Sequence, residues 1–353
     1  MNKSIIFTGK GKAELLDTEL GEPQKGCVRV KVVRSCVSSG TERANVSGMP
    51  DRCVGIGMPP RTDDRVSWPR RSGYSTSGIV DAVGEGVEDL KVGDRVAMSW
   101  TLHTQYICIP AFQAYRLPDD VSFQDAAFTH ISTFPMAAIR KCRLEIGEGA
   151  IVMGQGILGQ LAVILLKAAG AAPVIAADPV AEKRAQALSI GADVALDPTA
   201  EDFAAKAREI CGCSRLTANQ FYDCSGPQVA IEVTGNGKAL DNALDAIAPF
   251  GRVALLGCTR DSNFTIDYYH KVHGRGVTLV GAHSLARPKQ ESSSGYWTTR
   301  DDARAFIRLL SLKRFSLECL NVDVHSPEEC GEVYARLASG VPFPTTQFDW
   351  TRL

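Results

Sequence analysis

Over the first hundred residues, apolar positions alternate with polar ones in short runs, such as Val28, Val30 and Val32, then Ile79, Val80 and Val83. Glycines at Gly40, Gly48, Gly84, Gly86 and Gly93 break the runs. A period of two with frequent turns predicts a small all-β domain. Around residue 125 the period changes: QDAAFTHISTFPMAAIRKCRL carries apolar residues at helical spacing in spite of Pro135 and leads into an apolar strand, AIVMG. Strands then alternate with helices: AIVMG, LGQLAVILLKAAG, PVIAAD, EKRAQALSIG, VALD, EDFAAKAREI, QFYDCSG, KALDNALDAIAPFG, RVALLG and VTLVGA. Short apolar strands separated by helices of this length predict an α/β fold whose parallel sheet is covered on both faces.

After Ala282 come a polar loop, RPKQESSSGYWTTR, the helix DDARAFIRLLSL and a short closing segment. That tail is too small to fold alone and is expected to pack back on the β domain. The expected domains are therefore 1–124 with 286–353, and 125–285. Neither an internal repeat nor a low-complexity segment is visible.

The chain has 353 residues, 44% of them hydrophobic and 22% charged, which suits two ordinary globular domains. A formal net charge of −1 gives no overall attraction to nucleic acid or to an anionic membrane. The N-terminal apolar run is only Ile5-Ile6-Phe7, with no small-residue cleavage site, so a cytoplasmic protein without a spanning helix is expected. Eleven cysteines form no C-x-x-C pair, which fits reduced thiols used as small apolar residues.

Gly154-Gln155-Gly156-Ile157-Leu158-Gly159 fits G-x-G-x-x-G. It follows an expected strand, opens an expected helix, and precedes by about 20 residues the acidic Asp178. Gly154 permits the tight turn, Gly156 lets a pyrophosphate approach the backbone, and Gly159 lets helix and strand pack closely. Asp178 suits the hydroxyls of an adenosine ribose and repels a 2′-phosphate, favouring NAD over NADP. Lys183 and Arg184 follow and either offset that repulsion in part or lie on a helix surface.

A leading β domain, a dinucleotide fold and a returning tail, with GIVDAVGEGVEDLKVGDRV, resemble the medium-chain dehydrogenase/reductase superfamily across nearly the whole chain. The resemblance implies a GroES-like β-barrel catalytic domain beside a doubly wound Rossmann domain, and self-association as a homodimer or homotetramer. In the zinc alcohol dehydrogenases of that family a Gly-His-Glu supplies a ligand to catalytic zinc; here the stretch reads Gly73-Tyr74-Ser75. Ser39 stands where another ligand, a cysteine, would be, and the third position falls near His130 or Ile131. The lobe for a structural zinc retains only Cys108. No metal is therefore expected. Ser39-Gly40-Thr41-Glu42-Arg43, His103 before Gln105-Tyr106, Gly281-Ala282-His283-Ser284 and Gly295-Tyr296-Trp297 are similar to a zinc-less branch that includes hydroxyethyl-bacteriochlorophyllide dehydrogenases.

By the same resemblance Lys183 reaches the ribose, Cys224 and Ser225 lie beside the adenine, and Gly257, Cys258, Ala282 and Ser284 border the nicotinamide side. Thr41 fits the start of the family's proton relay, whose histidine is replaced by Ala44.

Oxidising an alcohol needs a base for the hydroxyl proton and a group that stabilises the alkoxide. Tyr74 either orients a substrate oxygen or fills the vacated metal volume. His130 is either the base or a satisfied helix histidine, with His103 as an alternate base. Glu42 is expected to pair with a neighbouring arginine. Arg52, Arg61, Arg65, Arg70 and Arg71 form either an anion-attracting loop or a solvated one. Trp68, Trp100 and Trp297 either line a pocket or belong to the core.

The expectation is a zinc-independent, NAD-dependent oxidoreductase interconverting a secondary alcohol, such as a polyol, sugar or cyclitol, and a ketone. The rivals are a zinc-less enoyl or quinone reductase, which Asp178 disfavours, and a nucleotide-binding protein without catalysis.

Overall fold

A computed structural model describes residues 1–49, 66–212, 224–259 and 263–353. The chain divides into two compact units, residues 1–133 with 299–353, and residues 134–298. Residues 125–133 thus go with the first unit and 286–298 with the second, which moves both of the expected boundaries.

The first unit opens with a hairpin of β1 (Asn2–Gly9) and β2 (Lys12–Thr18), followed by β3 (Cys27–Cys36) and helix α1 (Ser39–Val46). Strands β4 (Ser75–Val83), β5 (Arg95–Ser99), β6 (Tyr106–Pro110) and β7 (Ala114–Arg116) come next, then the short helix α2 (Phe123–Ala126). Val28, Val30 and Val32 all point inward from β3 and are fully buried with Phe7, Val96 and Phe348. Each such side chain contributes roughly 1.5–3 kcal/mol on leaving water. Helix α3 (Thr129–Lys141) runs through Pro135 without interruption.

The second unit is built on β8 (Ala150–Met153), β9 (Val174–Ala177), β10 (Val194–Leu196), β11 (Val229–Glu232), β12 (Arg252–Leu255) and β13 (Thr278–Gly281). Between them lie α4 (Ile157–Ala168), α5 (Ala181–Ser189), α6 (Phe203–Cys211) and α7 (Gly237–Ala246). All pairings are parallel and the spatial order is β10-β9-β8-β11-β12-β13, the doubly wound arrangement. Every residue of β8, β9 and β11 is buried, as strands covered on both faces require.

One strand lies elsewhere than expected. The fourth strand of this sheet is Val229–Glu232, downstream of QFYDCSG, of which residues 220–223 lie outside the described residues.

The chain then returns to the first unit with α8 (Thr299–Ser311), β14 (Asp323–His325), α9 (Cys330–Ala338) and β15 (Thr346–Asp349). Strand β15 pairs antiparallel with β3, so the tail completes a seven-stranded sheet ordered β14-β15-β3-β4-β5-β7, with β6 also on β3. Packing of the tail on the β domain was the expectation, and the pairing explains why the tail needs no core of its own.

Candidate active site and nucleotide cradle

In the first unit, three elements bring Tyr74, Ser38, Thr41 and His130 together. Tyr74 directly precedes β4, Ser38 caps α1, and His130 lies in the first turn of α3. Gly73 has φ +105°, and a Cβ on it would lie 2.7 Å from the His103 backbone nitrogen. Only glycine suits that approach, and it sets the direction in which the chain enters Tyr74. The Tyr74 hydroxyl donates to Ser38 Oγ and also bonds the Thr41 side chain. Its ring meets His130 edge-on with centroids 5.5 Å apart, and Trp100 meets His130 at 4.6 Å. The Trp100 N–H donates to the Tyr74 carbonyl at 2.9 Å. His130 is buried, whereas Trp100 is 42% exposed with a left-handed φ of 61°.

Burial pushes the Tyr74 hydroxyl well above the usual phenol range, and the nearby Glu42 carboxylate adds to the shift, while the Ser38 and Thr41 bonds oppose it. The phenol therefore stays protonated and serves as a hydrogen-bond donor. Ala44, where the family's relay histidine would stand, is buried, so a relay of that kind stops at Thr41.

His103 is not placed as an alternate base. It is 1% exposed and both ring nitrogens are engaged, Nδ1 with Ser35 Oγ at 2.8 Å and Nε2 with Glu42 at 3.0 Å. Trp350 Nε1 donates to the same Ser35 oxygen at 2.9 Å. Nor does Glu42 pair with an arginine among the described residues. Its carboxylate, fully buried, accepts from His103 or bonds its ring nitrogen, takes the Tyr334 hydroxyl, and accepts the Ser38 N–H at 2.8 Å. Arg43 turns instead to the Leu337 carbonyl at 3.0 Å. Five side chains, those of Glu42, His103, Ser35, Trp350 and Tyr334, and one backbone amide thus fix the start of α1 on which Ser38 sits.

Of the arginine-rich loop, Arg52, Arg61 and Arg65 lie outside the described residues, while Arg70 is held by the Ser67 and Met49 carbonyls and lies over Trp68. In the second unit Trp297 is half-buried under the Arg140 guanidinium, 3.5 Å from its ring centre.

The zinc that the family pattern implies does not fit the residues at this position. Among the described residues no three His, Cys, Asp or Glu side chains converge. At the aligned positions stand the hydroxyl of Ser39, a phenol held protonated and a single imidazole, and zinc requires three or four deprotonated donors.

The second unit carries the glycine loop. Gly154 has φ +97°, and a Cβ there would meet Thr234 Cγ2 at 2.6 Å. Gly156 caps α4 with no side chain, and a Cβ on it would meet nothing within 4 Å. On Gly159 a Cβ would lie 1.8 Å from the Gly154 carbonyl oxygen. The three glycines thus do different things: a turn, an open face, and a backbone contact. Ile157 and Leu158 begin α4, whose first turn holds no acidic residue, so its amides face an anion without competition. A pyrophosphate fits this cradle.

Asp178 follows β9 and is buried. One carboxylate oxygen accepts the Gln155 N–H at 2.8 Å and the other the Val180 N–H at 2.9 Å. Each oxygen keeps a lone pair for a ribose hydroxyl. Arg184 donates to the Asp178 and Pro179 carbonyls and pairs with Asp197 at 3.2 Å. Lys183 is half-buried on the first turn of α5.

Cys224 and Ser225 are misplaced by the sequence reading. They precede β11 and so lie at the N-terminal edge of the parallel sheet, opposite the glycine loop, where Gln228 bonds Gly149 ahead of β8. The residues that follow β11 are Val233, Thr234 and Gly235, and these stand at the carboxyl edge beside Gly154. Their turn is held by Glu232, a carboxylate 3% exposed that accepts from the Thr234 hydroxyl, the Thr234 N–H at 2.7 Å and the Gly235 N–H at 3.1 Å. Burial raises the pKa of Glu232. Neither Glu232 nor Thr234 was singled out from sequence. The alternation of an apolar run, an acid and a small-residue turn ending in glycine in IEVTG is the signal that locates them. Gly257, Cys258, Ala282 and Ser284 do follow β12 and β13 and lie at the carboxyl edge, with the Gly257 N–H bonded to the Glu232 carbonyl at 2.8 Å.

A family model described as "Alcohol dehydrogenase GroES-like domain" matches residues 24–119, and one described as "Zinc-binding dehydrogenase" matches residues 158–295. The chain belongs to the medium-chain dehydrogenase/reductase superfamily of zinc-type alcohol dehydrogenase-like proteins. It is similar to an L-threonine 3-dehydrogenase from Pyrococcus horikoshii, 25% identical over 80% of this chain and 83% of that protein. An (R,R)-butanediol dehydrogenase from Bacillus subtilis is 28% identical over 66% of this chain and 70% of that one. Among solved structures, galactitol-1-phosphate dehydrogenase from Escherichia coli superposes with a TM-score of 0.78 at 22% identity, covering 98% of this chain and 99% of that one, and so shares the fold.

Proposed function

We propose that the protein is a zinc-independent, NAD(H)-dependent oxidoreductase that interconverts a secondary alcohol and a ketone. The observation that carries the reading is the Tyr74 hydroxyl, kept protonated by burial and set against Ser38, Thr41 and the His130 ring at the place of a metal-ligand histidine. Tyr74 orients the substrate oxygen and stabilises it as alkoxide character develops. His130, whose buried ring meets the Tyr74 and Trp100 rings edge-on, receives the hydroxyl proton during oxidation. Bound NAD supplies the hydride acceptor. Gly154, Gly156 and Gly159 cradle its pyrophosphate, Ile157 and Leu158 present the helix amides, and Asp178 holds the ribose and disfavours a 2′-phosphate.

The substrate class is a polyol, sugar or cyclitol-like ring, supported by the butanediol dehydrogenase among the relatives and by the flat Trp100 face beside His130. The place of action is the cytoplasm. Self-association as a homodimer or homotetramer through the second unit is supported by its edge strand β13, where Leu279 is 40% exposed.

The test combines metal analysis with turnover. Purified protein is expected to hold substoichiometric zinc and to oxidise members of a polyol panel with NAD in the presence of chelator. Stoichiometric zinc, or activity lost to chelator and restored by zinc, overturns the reading. NADH fluorescence that responds on mixing, with no turnover of any alcohol, supports the non-catalytic binding protein instead.

A further inference from the structure

The first unit contains a hollow of about 710 Å³ between α8 and the turn leading into β7, and none of its lining residues belongs to the Tyr74 cluster. Its volume falls within the roughly 300–1,000 Å³ of small-molecule sites. We propose that it binds a small organic polyanion, one carrying two or more phosphate or carboxylate groups on an apolar body.

The charge is set out in rows. Arg300, Arg304 and Arg308 line the hollow from α8 at intervals of four residues, which on a helix is one face. Elsewhere around the same helix Ala303, Ala305 and Phe306 are buried, so the arginines stand on the exposed side. Arg304 and Arg308 are exposed, and neither guanidinium takes part in a hydrogen bond or ion pair among the described residues. Arg300 lies 3.9 Å from Asp301 in a first turn that also holds Asp302, whereas Arg304 and Arg308 are like charges four residues apart, which weaken a helix by about 0.2–0.5 kcal/mol per pair. The fold thus carries a local cost that an anionic ligand removes. Across the hollow stands Arg116, whose guanidinium is fixed by the Asp89 carbonyl at 2.6 Å and the Asp94 carboxylate at 2.9 Å. Asp89 is the one acidic residue among the lining residues, against four arginines.

Apart from Ser311, whose hydroxyl donates to Asp120 at 3.0 Å, the remaining lining residues are apolar. Tyr115 and Ile307 form a buried floor, and Phe112 and Leu312 stand at the rim 66% and 58% exposed. Guanidinium groups bind phosphate and carboxylate with two parallel hydrogen bonds, which favours a ligand with several such groups over chloride. An exposed aromatic ring at the rim favours a body that can lie against it.

The experiment uses the full chain saturated with NADH, so that the glycine loop cannot take the probe. Inorganic pyrophosphate and citrate are titrated calorimetrically at an ionic strength held constant with sodium chloride. The expected result is saturable binding of at least one probe with Kd below about 1 mM, weakened at least about tenfold in R304Q/R308Q, while NADH affinity is unchanged. Binding of pyrophosphate alone identifies phosphate as the recognised group, citrate alone carboxylate, and both a polyanion of either kind. Failure of both probes to bind, or equal affinity in the double variant, overturns the proposal.

Discussion

The Glu42 carboxylate meets His103 Nε2 at 3.0 Å although 61 residues separate them, and both side chains are buried. Through Ser35 the contact extends to Trp350, and through its other oxygen Glu42 holds the Ser38 amide. Glu42→Ala would leave the His103 ring, the Tyr334 hydroxyl and the Ser38 N–H without their acceptor. Breaking a buried network of this kind costs about 3–5 kcal/mol. Urea unfolding of the variant is expected to show that loss, and one below about 1 kcal/mol contradicts a structural role for the network.

Tyr74→Phe tests the donor. The ring contact with His130 survives, whereas the hydroxyl and its bonds to Ser38 and Thr41 are lost. Removing one alkoxide-stabilising donor lowers kcat by about 10²–10³-fold. NADH affinity, measured by fluorescence, is expected to stay the same. The pKa shift also fixes the pH profile. With the hydroxyl raised above its ordinary value of 10.0, the Tyr74 proton is retained throughout the range below pH 10, so Tyr74 contributes no alkaline limb there. A limb below pH 10 that disappears in Tyr74→Phe contradicts the assignment.

Much of the second unit was legible because its strands are continuous apolar runs and its helices have one apolar stripe. The glycine loop and Asp178 follow from that order. The adenine-side residues did not, because QFYDCSG and VAIEVTG both read as an apolar run ending in a small-residue turn. Burial on both faces distinguishes them: Val229, Ala230 and Ile231 are wholly buried, and a tyrosine followed by an aspartate would not be placed so. In the first unit the position of Tyr74 was legible from the motif. The partners of Glu42 were not, since Tyr334 lies 292 residues away and its approach depends on the return of the tail to β3. No local pattern encodes such a pairing.

On the proposed reading Asp178 selects NAD over NADP by charge. Asp178→Ala removes the ribose acceptor and the acceptor for the Gln155 and Val180 amides. Hydrogen bonds to a charged group are worth about 1.5–3 kcal/mol, so NADH affinity is expected to fall by roughly 10–100-fold. NADPH affinity is expected to rise or hold, because the repulsion of the 2′-phosphate has gone. Parallel fluorescence titrations measure both, and equal losses for the two cofactors would contradict the ribose role.

Two glycines of the loop separate fold from ligand. Gly159 lies against the Gly154 carbonyl, where a methyl group would stand at 1.8 Å, so Gly159→Ala must displace α4 or the turn. Overpacking of this kind costs about 1–3 kcal/mol, and the melting temperature is expected to drop without any ligand present. Gly156 has φ −73°, which any residue adopts, and open space beyond its Cα. Gly156→Val is therefore expected to leave the melting temperature of the free protein within a few degrees and to abolish the rise that NADH produces in the unaltered chain. The valine side chain would occupy the volume through which the pyrophosphate approaches the α4 amides. If Gly156→Val retains the full NADH-induced rise, the dinucleotide does not sit on this loop.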